Sequence, residues 1–217
     1  MEEAIQEEKY KGYTIKIYPE MEPENPREEW DNLGTMICFH PRYSLGDKTD
    51  LKASNFQSLK EVEDYLINEK GAVIILPLVL LDHSGLWMRV GNSYDCDPGG
   101  WDTSRVGFIY ASKDKILKEY SAKTLNKALL KKAEETLKME IKTYSQYLEG
   151  NVVGYQIEDY KGKNVAGCYG YYGVKDAIEE AKGEIRGLIN YQTQTEVARI
   201  KNEVRHFEYL YENNYIL

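Results

Sequence analysis

Apolar and polar positions alternate with period two across Gly12–Tyr18, where Tyr13, Ile15 and Ile17 oppose Thr14, Lys16 and Tyr18. That pattern predicts a strand with one buried face. Thr35–His40 reads as a second strand. Ala72–Leu81 is apolar almost throughout, as in a central strand covered on both faces, and Leu86–Val90 pairs with it across His83-Ser84-Gly85. Val106–Tyr110 is a further β-branched strand. Helical spacing takes over in 57–69, where Leu59, Val62, Leu66 and Ile67 share a face and Ser58 with Glu61 forms a capping box. A short helix is expected from Ser112 to about Tyr120. A long one follows over 122–149, with Leu125, Leu129, Leu130, Ala133, Leu137, Ile141, Tyr144 and Leu148 in register and Gly150 as its stop. Its Lys123, Lys127, Lys131, Lys132 and Lys138 alternate with Glu134, Glu135 and Glu140 as a solvated face.

Residues 151–158 and 164–172 predict a β-hairpin around Lys161-Gly162-Lys163. From Val174 to about Tyr211 the pattern is helical, with Val197, Ile200, Val204, Phe207 and Tyr211 as one stripe; Gly183 and Gly187 are expected to loosen or break its first half. Strands and helices do not alternate regularly, which favours an α+β fold with a mainly antiparallel β-rich N-terminal part, then a long helix, a hairpin and a C-terminal helix. A soft boundary near Ser121–Thr124 separates residues 1–121 from residues 122–217, as two parts or within one core.

The chain has 217 residues and a net charge of −8, which argues against capture of nucleic acid through a broad basic face. Residues 1–30 carry nine Glu against four Lys or Arg, and the Pro/Glu-rich segment 20–26 reads as an exposed loop. Nineteen Tyr against four Phe suit interfaces and half-buried sheets. Three Cys without close pairing fit reduced thiols. The most apolar run is too short to cross a bilayer, and no N-terminal segment resembles a signal peptide.

Candidate chemistry gathers in three polar-aromatic clusters: Trp30-Asp31-Asn32-Leu33-Gly34, Leu81-Asp82-His83-Ser84-Gly85 and Gly100-Trp101-Asp102-Thr103-Ser104. Two readings stand for each. As turns, Asp, Asn and Ser cap backbone groups and Gly supplies the bend. As a site, Asp31, Asn32, Asp82, His83 and Asp102 meet in one pocket, with His40 beside them. Cys38 and His40 share a strand face and could be nucleophile and base, or metal ligands, against the plainer reading of a buried Cys with a turn-facing His. Asp95, Asp97 and Asp102 could hold Mg²⁺ or Ca²⁺, though without EF-hand spacing, or simply form a turn rich in Asp and Gly. No Walker A loop, GxSxG or HExxH is present.

In combination, Trp30-Asp31-Asn32-Leu33-Gly34-Thr35-Met36, Phe39-His40, Leu81-Asp82-His83-Ser84-Gly85, Trp101-Asp102 with Val106-Gly107-Phe108-Ile109-Tyr110, Gly154-Tyr155-Gln156-Ile157-Glu158-Asp159 and Cys168-Tyr169-Gly170-Tyr171-Tyr172-Gly173 resemble an uncharacterised family. Its members are accessory proteins carried by bacteriophages and plasmids of Gram-positive and gut bacteria. The resemblance spans roughly residues 28–173 and brings no activity and no catalytic residue. It implies a setting, an accessory gene of a mobile element acting in the bacterial cytoplasm, and such proteins often counter host defence.

The leading expectation is therefore an inhibitor of a host defence protein, such as a CRISPR effector or a restriction enzyme. It would work through an acidic, Tyr-rich surface with no cofactor, no direct nucleic-acid contact and no membrane. The segment 20–29 and the aromatic hairpin residues Tyr169, Tyr171 and Tyr172 would carry binding, and a homodimer is allowed. The rival is a metal-dependent hydrolase, or a protein that sequesters a small nucleotide-like ligand, built on Asp31, Asn32, His40, Asp82, His83, Trp101 and Asp102.

Overall fold

A computed structural model describes residues 3–213. The fold is α+β, with two four-stranded antiparallel sheets. The chain forms two compact units, one built from its two ends (up to Glu20 and from Val153 onward) and one from Met21 to Val152. The boundary expected near Ser121–Thr124 falls inside the second unit, between two of its helices.

The first unit begins with a strand that hydrophobic alternation does not reveal, β1 (Gln6–Tyr10). Its sequence QEEKY is polar because it is an edge strand, largely open to solvent and held by its ladder to β2 (Tyr13–Pro19). Tyr10 pairs with Tyr13 across the two-residue turn Lys11-Gly12. The sheet order is β1-β2-β7-β8, where β7 is Val152–Glu158 and β8 is Asn164–Tyr172. The predicted C-terminal hairpin thus joins the predicted N-terminal strand in one sheet, with Ile15 opposite Ile157 and Ile17 opposite Tyr155. Ala177, Ile178, Ala181 and Ile185 of α4 (Val174–Glu212) pack on these residues to make the core. Small Ala side chains let the helix sit close to the sheet. Gly183 and Gly187 do not interrupt α4, which runs unbroken for 39 residues. The cost of a helical Gly is about 1 kcal/mol, and the packed Ile178–Ile185 face outweighs it.

In the second unit the strand order is β3-β6-β4-β5, from β3 (Thr35–Cys38), β4 (Ala72–Asp82), β5 (Leu86–Val90) and β6 (Thr103–Ser112). Its two faces are covered by different helices. On one lie Ala133, Leu137, Ile141 and Tyr144 of α3 (Lys127–Leu148), against Met36, Leu78, Leu80, Met88 and Ile109. On the other, Val62 and Leu66 of α1 (Leu59–Asn68) meet Ile37, Ala72, Phe108 and Tyr110. This double cover explains the apolar run in β4. Pro77 is tolerated in that strand because its carbonyl accepts from Gly91 N. Its missing N–H would point the same way, just past the last β4–β5 pair, Leu78 with Val90. At Gly107 in β6, φ is +153° and an added Cβ would lie 1.9 Å from the Ile37 carbonyl oxygen. Only Gly lets β3 and β6 approach there. The short helix α2 (Lys113–Glu119) follows β6 with Ser112 as its N-cap.

Helix α3 starts at Lys127, five residues later than the apolar spacing suggests, because Asn126 accepts from Leu129 N and fixes the N-terminus.

Candidate functional site

Strand register decides which of the three clusters can meet. Thr35 of β3 is opposite Tyr110, while Leu81 of β4 is opposite Thr103 at the far end of β6. Seven residues of β6 separate those positions, about 23 Å at strand rise. Asp31 and Asn32, which precede β3, therefore lie at the opposite end of this sheet from Asp82, His83 and Asp102. The single pocket expected of these residues does not form. Asn32 instead donates from Nδ2 to the carbonyls of Pro26 at 2.7 Å and Trp30 at 3.0 Å, a turn cap, and Asp31 is exposed.

His40 leaves the end of β3 in the direction of Asp82. Its Nδ1 accepts from the N–H groups of Arg42 and Tyr43, both at 3.3 Å, and its ring stacks on Tyr43 with centroids 4.8 Å apart. A ring accepting at Nδ1 carries its proton on Nε2 when neutral, so His40 acts here as the cap of a turn. Cys38 is no activated partner for it: burial, and then the Asp47 carboxylate, push its thiol up to about 12.

Asp82 and His83 are adjacent at a strand end and diverge, as strand geometry requires. The Asp82 carboxylate turns to Arg42, with which it forms an ion pair, and accepts from the Tyr43 hydroxyl at 3.1 Å. His83 turns to Asp102, its Nδ1 lying 2.8 Å from Oδ2. Asp102 is held by its backbone: its carbonyl accepts from Asp82 N at 2.8 Å, and its N–H donates to Asp97 Oδ2 at 2.9 Å. Asp97 also accepts from Trp101 N at 3.1 Å. Trp101 itself projects into solvent, 91% exposed.

The His83–Asp102 pair borders a cleft of about 470 Å³ whose other walls include Trp87, Tyr94, Cys96 and Asp97. Arg89 lies over the Tyr94 ring at 4.3 Å. Burial pushes the Tyr94 hydroxyl up to about 12, so it stays a neutral donor. The third carboxylate of this stretch, Asp95, is fully in solvent near Arg89. Among the described residues no three His, Cys, Asp or Glu side chains are placed to hold a metal ion. The arrangement can orient a polar ligand against aromatic walls; the Asp-rich stretch serves as a turn.

The strongest electrostatic feature was not among the predicted site residues. Arg27 sits inside the protein, its side chain 1% exposed, between Asp47 and Glu140. Nε and Nη2 donate to the two oxygens of Asp47 at 2.7 and 2.8 Å, Nη1 to Glu140 at 2.9 Å, and Nη2 also to the Gly34 carbonyl at 2.9 Å. Asp47 further accepts from Met36 N. Glu140 accepts from the N–H groups of Leu33 and Gly34. Gly34 must lack a side chain, since a Cβ would come within 2.5 Å of Ile109 and 2.9 Å of Glu140. Burial opposes the charge on Arg27, but the hydrogen bonds and charges of Asp47 and Glu140 outweigh it and hold the guanidinium protonated more firmly than usual. Burial raises the Glu140 carboxyl above the ordinary range, and the Gly34 N–H and Arg27 only partly offset this.

Glu140 thus does not belong to the solvated face of α3 assigned from charge alternation. The segment 20–26, expected as an exposed loop, is not exposed throughout either: Pro26 is buried, as is Arg27 after it. A signal was present in the sequence, because Arg27 is the one cation between Glu20 and Asp31. With that cation turned inward, the exposed charges of the loop are Glu22, Glu24, Glu28, Glu29 and Asp31. Lys48 reaches Glu28 at 3.4 Å, and Trp30, 43% exposed, donates to Glu24 at 3.4 Å.

In the other unit, the aromatic hairpin residues divide. Tyr169 is 46% exposed, lies over Gly154, and its hydroxyl accepts from Gln156 at 3.3 Å. Tyr171 is half-buried against Tyr155, with centroids 5.5 Å apart. Tyr155 in turn donates to Glu184 of α4 at 2.6 Å. Tyr172 ends β8 and is partly covered. None of the described helices is long and apolar enough to cross a membrane. No family model, no curated protein and no solved structure matches this chain.

Proposed function

We propose that this chain is an accessory protein of a mobile genetic element that binds and inhibits a bacterial defence protein, a CRISPR effector or a restriction enzyme. The observation that supports this reading is the acidic loop of residues 21–34. It presents Glu22, Glu24, Glu28, Glu29 and Asp31 to solvent, while Arg27 pins it to Asp47 and Glu140. A loop fixed in this way loses little conformational entropy on docking. Its carboxylates suit the Arg- and Lys-lined channel through which such a target holds nucleic acid. Trp30 supplies an aromatic anchor within the same loop.

The test is inhibition and co-purification with candidate targets, using the wild type and a variant with Glu22, Glu24, Glu28 and Glu29 all changed to Lys. The variant loses inhibition, and wild-type binding weakens as salt rises. A variant that still inhibits every target the wild type inhibits overturns the mechanism.

A second reading has one observation in its favour, the His83–Asp102 pair bordering the aromatic cleft. On this reading the protein sequesters a small polar ligand between Trp87 and Tyr94. Native mass spectrometry of protein purified from its host, with elemental analysis, reads it out. Bound mass lost in His83→Ala/Asp102→Ala supports sequestration, and a clean apo mass removes this reading.

A further inference from the structure

Resting on the second reading above, in which the His83–Asp102 cleft sequesters a small ligand, we propose that this ligand is an organic cation, an alkylammonium group held between aromatic rings and two carboxylates. The cleft lies between a sheet face and a loop. Trp87 and Arg89 share one face of β5, because Leu86, Met88 and Val90 turn the other way, into the core under α3. Leu81 is the partner of Trp87 across the β4–β5 ladder, so it stands on the same face. The segment 91–102 connects β5 to β6 at this end of the sheet and brings Tyr94, Cys96, Asp97 and Asp102 to the cleft.

Both aromatic rings are held by the protein itself. Part of the Trp87 ring lies against Gly85, where an added Cβ would come within 2.8 Å of it. Tyr94 is stacked by the Arg89 guanidinium at 4.3 Å, and Arg89 Nε donates to the Ser93 carbonyl at 3.1 Å. Rings fixed in this way lose little freedom when a ligand arrives. Aromatic faces attract cations, Trp most strongly.

Charge sets the sign of the ligand. Two carboxylates, Asp97 and Asp102, border the cleft, and neither Lys nor Arg does. Arg89 is occupied outside the lining by the Tyr94 ring and, at 3.8 Å, by Asp95. Asp97 is stabilised as a carboxylate by the N–H groups of Trp101 and Asp102. His83 adds an acceptor. The Asp102 carboxylate only accepts, so neutral His83 donates to it from Nδ1 and keeps Nε2 as an acceptor. Such a wall repels phosphate and carboxylate ligands and attracts an ammonium. No three side chains here are placed to hold a metal ion among the described residues. The apolar surfaces of Leu81, Trp87 and Tyr94 instead need carbon groups to cover them, so the charge belongs on an organic cation. The volume of about 470 Å³ lies in the range of small-ligand pockets.

The experiment titrates the intact protein with four probes. They are choline, Nα-acetyl-lysine methylamide, the uncharged carbon analogue of choline with a tert-butyl group in place of trimethylammonium, and adenosine monophosphate. Binding is read by calorimetry at constant ionic strength and by the Trp87 indole N–H resonance, identified by its loss in Trp87→Phe. Choline or the blocked lysine is expected to bind and to shift that resonance. Which of the two binds more tightly separates a free amine from a polypeptide side chain as the source of the group. Asp102→Asn is expected to weaken binding about tenfold, and Trp87→Leu about fivefold, with Trp87→Phe weakening it less. Tyr94→Leu, on the loop, is the second variant where Trp87→Leu loses the fold. Equal binding of the uncharged analogue overturns the cation class and leaves sequestration standing. So does binding of adenosine monophosphate without either cation. Cation binding unchanged in both Asp102→Asn and the aromatic variants overturns the site. If no probe binds, the cation class falls; a bound mass on protein purified from its host then keeps sequestration, and a clean apo mass removes both.

Discussion

Replacing Arg27 by Met keeps the apolar stem and removes the guanidinium. Three groups then lose a partner. The buried Gly34 carbonyl loses its donor, which costs about 1–3 kcal/mol. Glu140 loses its counter-charge but keeps the Leu33 and Gly34 N–H groups. Asp47 keeps the Met36 N–H and is 24% exposed, so water relieves part of its loss. Removing one partner of a buried pair costs about 3–5 kcal/mol, and the retained N–H bonds place this case near 3–4 kcal/mol. For a unit spanning residues 21–152 that is roughly a 10 °C fall in its unfolding temperature. Calorimetry should show the loss in one transition, and hydrogen exchange should show faster exchange at Leu33, Gly34 and Met36. Adding Asp47→Asn and Glu140→Gln to Arg27→Met should recover part of the loss, because the stranded charges are then gone. If Arg27→Met costs less than about 1 kcal/mol, or the neutral triple variant is worse than the single, the network does not anchor the loop as argued.

Gly107→Ala sets a Cβ 1.9 Å from the Ile37 carbonyl at positive φ, so it should cost at least about 2 kcal/mol and separate β3 from β6; equilibrium urea unfolding checks this, and a near-neutral effect would show that the strands can part cheaply. Cys38, with its thiol pushed up to about 12, is only about one part in ten thousand thiolate at pH 8. Iodoacetamide at pH 8 should therefore label the exposed Cys96 and Cys168 and leave Cys38 untouched, as read by intact mass. Raising the pH toward 10 increases the Cys38 thiolate about a hundredfold, so its labelling should begin there.

What could be read from the chain and what could not follow from how local each determinant is. The strands around Ile15, Ile74 and Ile109 and the helix stripes of α1 and α3 are written in spacing alone, and they are present. β1 was illegible because an edge strand needs no apolar alternation; its ladder to β2 supplies the reason it exists. The partnership of β2 with β7 was illegible because antiparallel pairing leaves no mark on either strand's own sequence. At the site, the turn readings of Asn32, His40 and the Asp-rich stretch rest on local capping, and the geometry agrees with them. The placement of Asp31 away from Asp102 depended on strand register. Glu140 looked solvated because its neighbours alternate in charge, whereas a contact 113 residues away in sequence decides its surroundings.

The split first unit constrains the order in which the polypeptide can acquire its structure. Pro19 pairs with Val153, so all of residues 21–152 leave and return at neighbouring points of one sheet. In an unstructured chain, closing that loop costs about 3 kcal/mol more than closing a tight hairpin, from the logarithmic growth of closure entropy. Once the inserted unit has condensed, its ends are brought near and most of that cost is already met. During synthesis the inserted unit emerges complete while β2 still waits for β7. The β1–β2 hairpin of the first unit, apolar on one face through Ile15 and Ile17, is then uncovered until α4 arrives. Slow translation or a premature stop before Val174 would leave that face open to aggregation, a vulnerability set by topology rather than by stability.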